Sequence, residues 1–347
     1  MELEHVNRLP MPTYRYLKTN DSALPFRMPA RMGRAVFSDP SLLTEGAELP
    51  ETFSGASERW LEAAAAGERL TIRVPAGEEK MLAAEIVMDE AHPDYAGTFR
   101  ICLGKGAKLR LLWKISGGEE EGAAALACSY ELEEGAELHV SSVERGMRKK
   151  ILCMQRVTET GAAAKAVFAG AQLGGETVII HSRSRLAGRG SFLGEYGVYA
   201  AGDTQALDYF YHADHLGEET ESDIEVKGAL AGRSKKVFRS TIDFKRGCSG
   251  AVGSEGDYAI QLDPATKNIS LPLLLCTEDN VSGNHASSAG QIDEGTVYYL
   301  MSRGLTKEEA RRIVVESLIR PLIDRMDERL REETLAAVRE KLDEHGE

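Results

Sequence analysis

The sequence predicts a mainly β protein of short, stacked strands with helical segments at both ends. Three observations carry that expectation. Glycine accounts for 34 of 347 residues while Phe, Trp and Tyr together reach only 6%, a balance of many turns and slim aliphatic elements. From Leu70 onward, runs such as Thr71–Val74 and Phe99–Leu103 are separated by glycine turns. A Gly-Ala opening recurs at Gly106, Gly135 and Gly161, in steps of 29 and 26 residues. A loose period of that size fits a β-solenoid, whose turns bury their apolar faces only against one another. A β-sandwich of short strands has the same texture, and periodicity alone leaves both open.

The elements follow in order. Residues 1–68 form an N-terminal helical or irregular segment rich in proline, with Leu9-Pro-Met-Pro12 and Leu24-Pro25. It closes on a short alanine-rich helix from Ser57, a suitable N-cap, to Gly67, a suitable C′ residue. Residues 69–300 form the strand-rich body. Residues 301–347 form a C-terminal helical region. There Thr306 and Glu309 have capping-box spacing, and Ala310, Ile313, Val314, Leu318, Leu322, Met326 and Leu330 recur at helical intervals. Pro321 is expected to kink or split this helix. A further helix places Leu335, Val338 and Leu342 on one face. The helical region reads as a cap over the last coil or as a docking surface.

Charge and composition exclude several classes. With 42 Lys and Arg against 55 Asp and Glu, the net charge is −13, which opposes duplex nucleic acid or an anionic membrane as the main partner. The acidic N-terminus lacks the basic and apolar regions of a signal peptide, and no run approaches the length of a membrane span. Cys102, Cys128, Cys153, Cys248 and Cys276 are odd in number and widely spaced, so the chain reads as reduced and cytoplasmic.

No Walker, GxGxxG, HExxH or GxSxG motif is present, and Gly188, Gly190 and Gly194 read as turn glycines. A carbohydrate-active β-helix would need paired carboxylates and an aromatic platform, which two tryptophans do not supply. One segment concentrates metal-ligand chemistry: Cys276, Glu278, Asp279 and His285 fall within ten positions. If the strand ending at Cys276 continues, Cys276 and Glu278 share a face, and His285 would fold back across a glycine turn. Thiolate, imidazole and carboxylate are ligands for iron, zinc or an iron–sulfur cluster. Cys248 lies between glycines beside Lys245 and Arg246, where the cations would lower its pKa and exposure would follow. His212 and His215 are three apart and point to opposite faces of a strand. The acidic runs at 119–121 and 133–134 read as solvated loops.

Several ordered motifs carry a resemblance. Lys227-Gly-Ala-Leu230, Ser234, Val237-Phe238, Cys276-x-Glu-Asp-x-Val281, Gly283-Asn-His-Ala286, Gly290-Gln-Ile-Asp293, Tyr298 to Gly304 and Glu309-Ala310 together resemble the SufB/SufD family. These are scaffold proteins of the SUF iron–sulfur cluster assembly system. The resemblance runs from about His215 to Ile323. Leu9-Pro-x-Pro-Thr13, with Leu17 and Asn20, is similar to the family's opening. Many members carry a cysteine two positions before the motif histidine, and Gly283 stands there in this sequence.

The resemblance implies a right-handed parallel β-helix with helical N- and C-terminal parts and a role as scaffold rather than enzyme. It implies a SufC-type ABC ATPase partner, docked on the C-terminal helices through Thr306, Ala310, Ile313, Val314, Leu318 and Leu322. It also implies a homodimer or a SufB–SufD-type heterodimer. Sulfur would come from a cysteine desulfurase system and form a transient Fe–S cluster, with nothing permanently bound. The ligand role carries over to His285; Cys276, Glu278 and Cys248 are candidates by their chemistry. The alternative is a SufD-like adaptor that supports a SufB-type partner and holds no cluster.

Overall fold

The structure, a computed structural model, describes residues 2–13, 18–48 and 57–344; Leu17 lies outside the described residues. Strands β1 (Glu2–Val6) and β2 (Ser22–Pro25) pair antiparallel, followed by β3 (Val36–Phe37), β4 (Leu43–Glu45) and helix α1 (Glu58–Ala65). The body then begins with β5 (Glu68–Val74), β6 (Glu79–Met88), β7 (Tyr95–Leu103), β8 (Lys108–Gly117), β9 (Gly122–Leu132) and β10 (Glu137–Gly146). It continues with β11 (Lys150–Thr160), β12 (Lys165–Gly174), β13 (Thr177–Leu186), β14 (Phe192–Ala201) and β15 (Ala206–His215). The last turns are β16 (Glu221–Leu230), β17 (Lys235–Phe244), β18 (Val252–Gln261), β19 (Lys267–Cys276) and β20 (Ser282–Gly290). Helices α2 (Glu294–Ser302), α3 (Lys307–Ile323) and α4 (Glu328–Asp343) end the chain.

From β5 onward, odd strands build one sheet and even strands the other. Each circuit adds one strand to each sheet, giving a parallel β-solenoid of about 8 turns. Glu137 sits between Lys108 and Lys165 in unbroken parallel register. A sandwich would pair its strands antiparallel, so the sheets decide between the two readings.

A repeated corner explains the glycine period. Gly106, Gly135, Ala163 and Gly190 donate their N–H groups to Glu134, Ala162, Arg189 and Glu218 carbonyls of the next turn at 2.8–2.9 Å. All four have left-handed φ, 65, 67, 55 and 67°, where glycine pays no Cβ penalty. The third repeat therefore begins at Ala163, two residues beyond the Gly161 that the sequence spacing suggests. Gly67 differs in another way. It follows α1 without a left-handed φ, and a Cβ there would stand 1.9 Å from the Ala96 carbonyl oxygen. Close packing, not C-capping, requires it.

In the early turns the lumen is a dry aliphatic and aromatic core. Phe37, Phe99 and Trp113 meet edge-on, with Phe99 and Trp113 centroids 5.0 Å apart. Both outer faces are also covered. β1, β2 and α1 pack Leu3, Phe26, Trp60 and Leu61 onto Ala123, Ala125, Ala127 and Ile179 of the odd sheet, and Trp60 Nε1 donates to the Leu126 carbonyl at 3.3 Å. On the even sheet, Ile319, Leu322, Ile323, Leu330 and Val338 of α3 and α4 pack onto Leu112, Val143, Ala171, Tyr196 and Val198.

The strands end at Gly290, and helix begins at Glu294 rather than near Arg303. The C-terminal helices do not cap the last coil; they lie along the flank of the even sheet, where Leu112, Val143, Ala171, Tyr196 and Val198 form an apolar patch on its outer face. The capping box at Thr306 and Glu309 forms, with reciprocal bonds of 2.8 and 3.1 Å. Pro321 does not split α3. It falls in the last turn, and the helix ends at Ile323.

Truncating the α1 anchor should expose this flank. Trp60→Ala is expected to cost about 3–5 kcal/mol, read as a lower midpoint of denaturant unfolding. The exposed Met11→Ala should stay within about 0.5 kcal/mol of wild type.

Candidate functional site

Strand alternation sets which side chains enter the lumen. On the odd sheet the lumen-facing set includes Arg156, Ser182, Tyr209, Tyr211, Lys236 and Ser240; on the even sheet it includes Glu144, Gln172, Glu195, Tyr199, Glu255 and Asp257. From the middle turns onward polar and charged side chains thus join the apolar ones in the lumen. Arg156 donates to Glu195 at 2.8 Å, and Ser182 donates to the other Glu195 oxygen at 2.6 Å. Gln172 donates to Glu144 at 3.0 Å. Lys236 pairs with Asp257, both fully buried, and donates to the Tyr199 hydroxyl at 3.1 Å.

Burial dominates the electrostatics. It pushes Glu144 up to about 7 and Glu255 up to about 8. It pushes His181 down to about 3 and His215 down to about 4. Lys236 is lowered by the same cause despite Asp257. Buried sites that favour the neutral form in this way arise from desolvation outweighing the partners.

The polar lumen leads to the last turn. β19 and β20 are each the outer strand of their sheet, with one edge unpaired. Both candidate ligands there face inward by register. Cys276 lies beside the core residue Phe244, and His285 lies beside Glu255. Both are exposed, since no further turn covers them.

The structure redistributes the predicted ligands. Strand β19 ends at Cys276, so Cys276 and Glu278 do not share a strand face. Instead the Cys276 Sγ contacts the Glu278 carbonyl at 2.9 Å. The Glu278 carboxylate is engaged by the Gly247 and Asp279 N–H groups at 2.8 and 3.0 Å, which hold it below the usual carboxylate range. Gly283 is not a turn residue but part of β20. It faces the lumen, and a Cβ there would meet Phe244 at 3.0 Å. Cys248 reverses its expectation: it is buried in the core, and burial, aided by Glu278, raises its thiol pKa. The corner between β17 and β18 places the side chain in the core. Cys276 is the exposed cysteine; Cys102 is half-buried and Cys128, Cys153 and Cys248 are buried.

Of the docking candidates, Ala310 and Leu322 are buried within the chain and Leu318 packs against the flank. The helical period was real, but its apolar stripe meets the even sheet. Thr306 and Ile313 remain exposed and Val314 half-buried. Tyr298, Tyr299 and Met301 of α2, within the Tyr298–Gly304 motif, are exposed at 75, 56 and 43%, and the sequence alone gives them no docking role. Nor does it point to Glu255, whose nearness to His285 depends on turn-to-turn register. His215 points into the lumen, pairing with Thr220 and Ser222 at 2.8 Å each, while His212 points outward, as alternation requires.

The architecture places the chain in the class of parallel β-solenoids with helical flanks and an open final turn. The comparisons make the assignment specific: the chain belongs to the SufBD family, since the family model described as SUF system FeS cluster assembly, SufBD core domain, matches residues 86–318. That match reaches through the middle turns, well beyond the motifs legible from His215 onward. The chain is 28% identical over 148 residues, 43% of its length, to the iron–sulfur cluster assembly protein SufD of Bacillus subtilis (strain 168). It is 29% identical over 179 residues, 49% of its length, to an iron–sulfur cluster assembly SufBD family protein of Mycobacterium leprae (strain TN). A Mycobacterium bovis relative of the same description is 30% identical over 122 residues, 35% of the chain. The matched stretches span 34%, 46% and 14% of those relatives.

The lumen carboxyls give a pH test. Glu144 is raised from 4.5 to about 7, so the folded state holds its proton more tightly than the unfolded chain does. Its contribution is present below pH 4.5 and is lost as pH rises to about 7. Glu144→Gln should therefore flatten the unfolding free energy across that window, relative to wild type, in parallel denaturant titrations.

Proposed function

We propose that this chain is a scaffold of SUF-type iron–sulfur cluster assembly that holds a nascent cluster at its open last turn. One observation carries the reading: Cys276 and His285 are both exposed and both face the lumen on β19 and β20, whose outer edges are unpaired. Exposed strand edges are natural pairing templates. A second chain meeting this turn would cover the edges and bring a second Cys276 and His285. Two thiolates and two imidazoles match the four-ligand count of a [2Fe–2S] cluster. The cluster is cargo, built from iron and from persulfide sulfur delivered by a cysteine desulfurase system.

A SufC-type ABC ATPase would dock on α2 and the first half of α3. Tyr298, Tyr299, Met301 and Ile313 form the exposed apolar surface there, while the second half of α3 is committed to the flank. ATP hydrolysis then belongs to the partner, in keeping with a sequence without a Walker motif.

The adaptor reading also has a specific support. Cys276 is the one exposed cysteine among the described residues, and Gly283 replaces the cysteine of the family motif. In that case the chain would brace a SufB-type partner that supplies the thiolates.

Anaerobic reconstitution with iron, sulfide and the co-expressed ATPase separates these readings. The scaffold reading expects cluster absorbance and bound iron to fall by more than half in Cys276→Ala and in His285→Ala. Unchanged loading in both variants moves the ligands to a partner chain. For docking, Tyr298→Asp and Ile313→Asp should reduce ATPase co-purification at least about tenfold with folding intact. Leu322→Ala should instead cost about 2–5 kcal/mol of stability.

A further inference from the structure

The outer face of the odd sheet carries a second group of ligand-bearing side chains, away from the last turn. His212 and Asp214 of β15 and Asp243 of β17 are all buried, and their ligand atoms lie within 4.8 Å of one another. Alternation puts His212 and Asp214 on one face, and parallel register sets Asp214 directly beside Asp243. They are the one such group of three among the described residues.

Each carboxylate of this cluster meets a cation at its Oδ2. Arg183 Nε donates to Asp214 Oδ2 at 2.8 Å, and Lys245 Nζ to Asp243 Oδ2 at 2.5 Å. The other Asp214 oxygen, Oδ1, faces His212 Nε2 at 3.1 Å. Independently, the Thr241 hydroxyl, fully buried on the same outward face and in register beside His212, has no hydrogen-bond partner among the described residues. A buried hydroxyl left unpaired costs about 1–3 kcal/mol, and here it borders an imidazole and two carboxylates.

We propose that His212, Asp214 and Asp243 form a binding site for one divalent first-row metal ion, with the Thr241 hydroxyl beside it. One imidazole and two carboxylates form a mixed nitrogen and oxygen set suited to Fe²⁺, Zn²⁺ or Mn²⁺ and lacking the thiolates that select Cu⁺. Arg183 and Lys245 then act as outer partners that orient the carboxylates, the role hydrogen-bonded second neighbours play around metal ligands. Binding requires His212 to present a nitrogen lone pair to the ion, with the proton moving to Nδ1. No redox step is involved.

Co²⁺ serves as the probe, because its visible absorption reports coordination directly. The full-length protein, titrated anaerobically at pH 7 with Co²⁺ alone, should show saturable binding near one equivalent. Asp243→Asn and His212→Gln should weaken it at least about tenfold, with unchanged circular dichroism. Thr241→Val, which keeps the shape, should alter the absorption spectrum. Because the proposal does not rest on the cluster-site assignment, the Cys276→Ala/His285→Ala double variant should keep the equivalent. Absence of saturable binding overturns the proposal. So does binding that survives His212→Gln and Asp243→Asn but disappears in the last-turn double variant.

Discussion

The structure depends on one constraint, the unbroken parallel register between successive turns. Each strand is hydrogen-bonded to the strand one circuit earlier and one circuit later, so every side chain has two fixed lateral neighbours and a fixed face. A lumen position cannot turn to solvent. Polar groups placed there are cut off from water, so a charge is favoured only with a partner within the same narrow column. The early turns meet this demand with Leu, Ile and the Phe37–Phe99–Trp113 cluster. The later turns meet it with partners drawn from both sheets, as in Lys236 with Asp257 and Arg156 with Glu195. An unpaired charge in that environment would carry a desolvation cost of several kcal/mol.

The same stacking rule makes the two ends unequal. At the N-terminal end, β3 and β4 pair antiparallel onto β6 and β5 and close both edges. At the C-terminal end no strand among the described residues closes β19 and β20, and the helices that could have covered them lie on the flank instead. They do so because Leu112, Val143, Ala171 and Val198 give the outer face of the even sheet an apolar patch that α3 and α4 bury. The end left open is the end carrying Cys276 and His285. Fold economy and proposed function therefore meet at one place: the last turn is both the least satisfied part of the backbone and the most accessible part of the polar lumen.

Much of this was legible in the residues. The glycine corners, the aliphatic strands, the Thr306–Glu309 capping box and the amphipathic C-terminal helices each have a local cause, and each formed. The face separation of His212 and His215 followed from alternation alone. Readings that joined residues across a turn fared differently. Cys248 looked exposed because Lys245 and Arg246 adjoin it in sequence, yet the corner places its side chain in the core. Ala310 and Leu322 looked available to a partner because an apolar stripe does not say what it faces. Glu255 beside His285 and Asp243 beside Asp214 left no mark at all, since the members of each pair are a full turn apart.

The sequence by itself determined the repeating strand-and-corner unit, the helical termini and the family to which the motifs belong. These rest on periodicity, caps and ordered motifs, all of which act over short stretches of chain. Only the tertiary structure decided the length of each circuit, the side of the body on which the helices lie, and which ligands share a face. The circuit lengths vary from turn to turn, and a shift of one residue sends every side chain of a strand to the opposite face. Register is a property of the stacked turns together, so the sites built on it appear only when the turns are stacked.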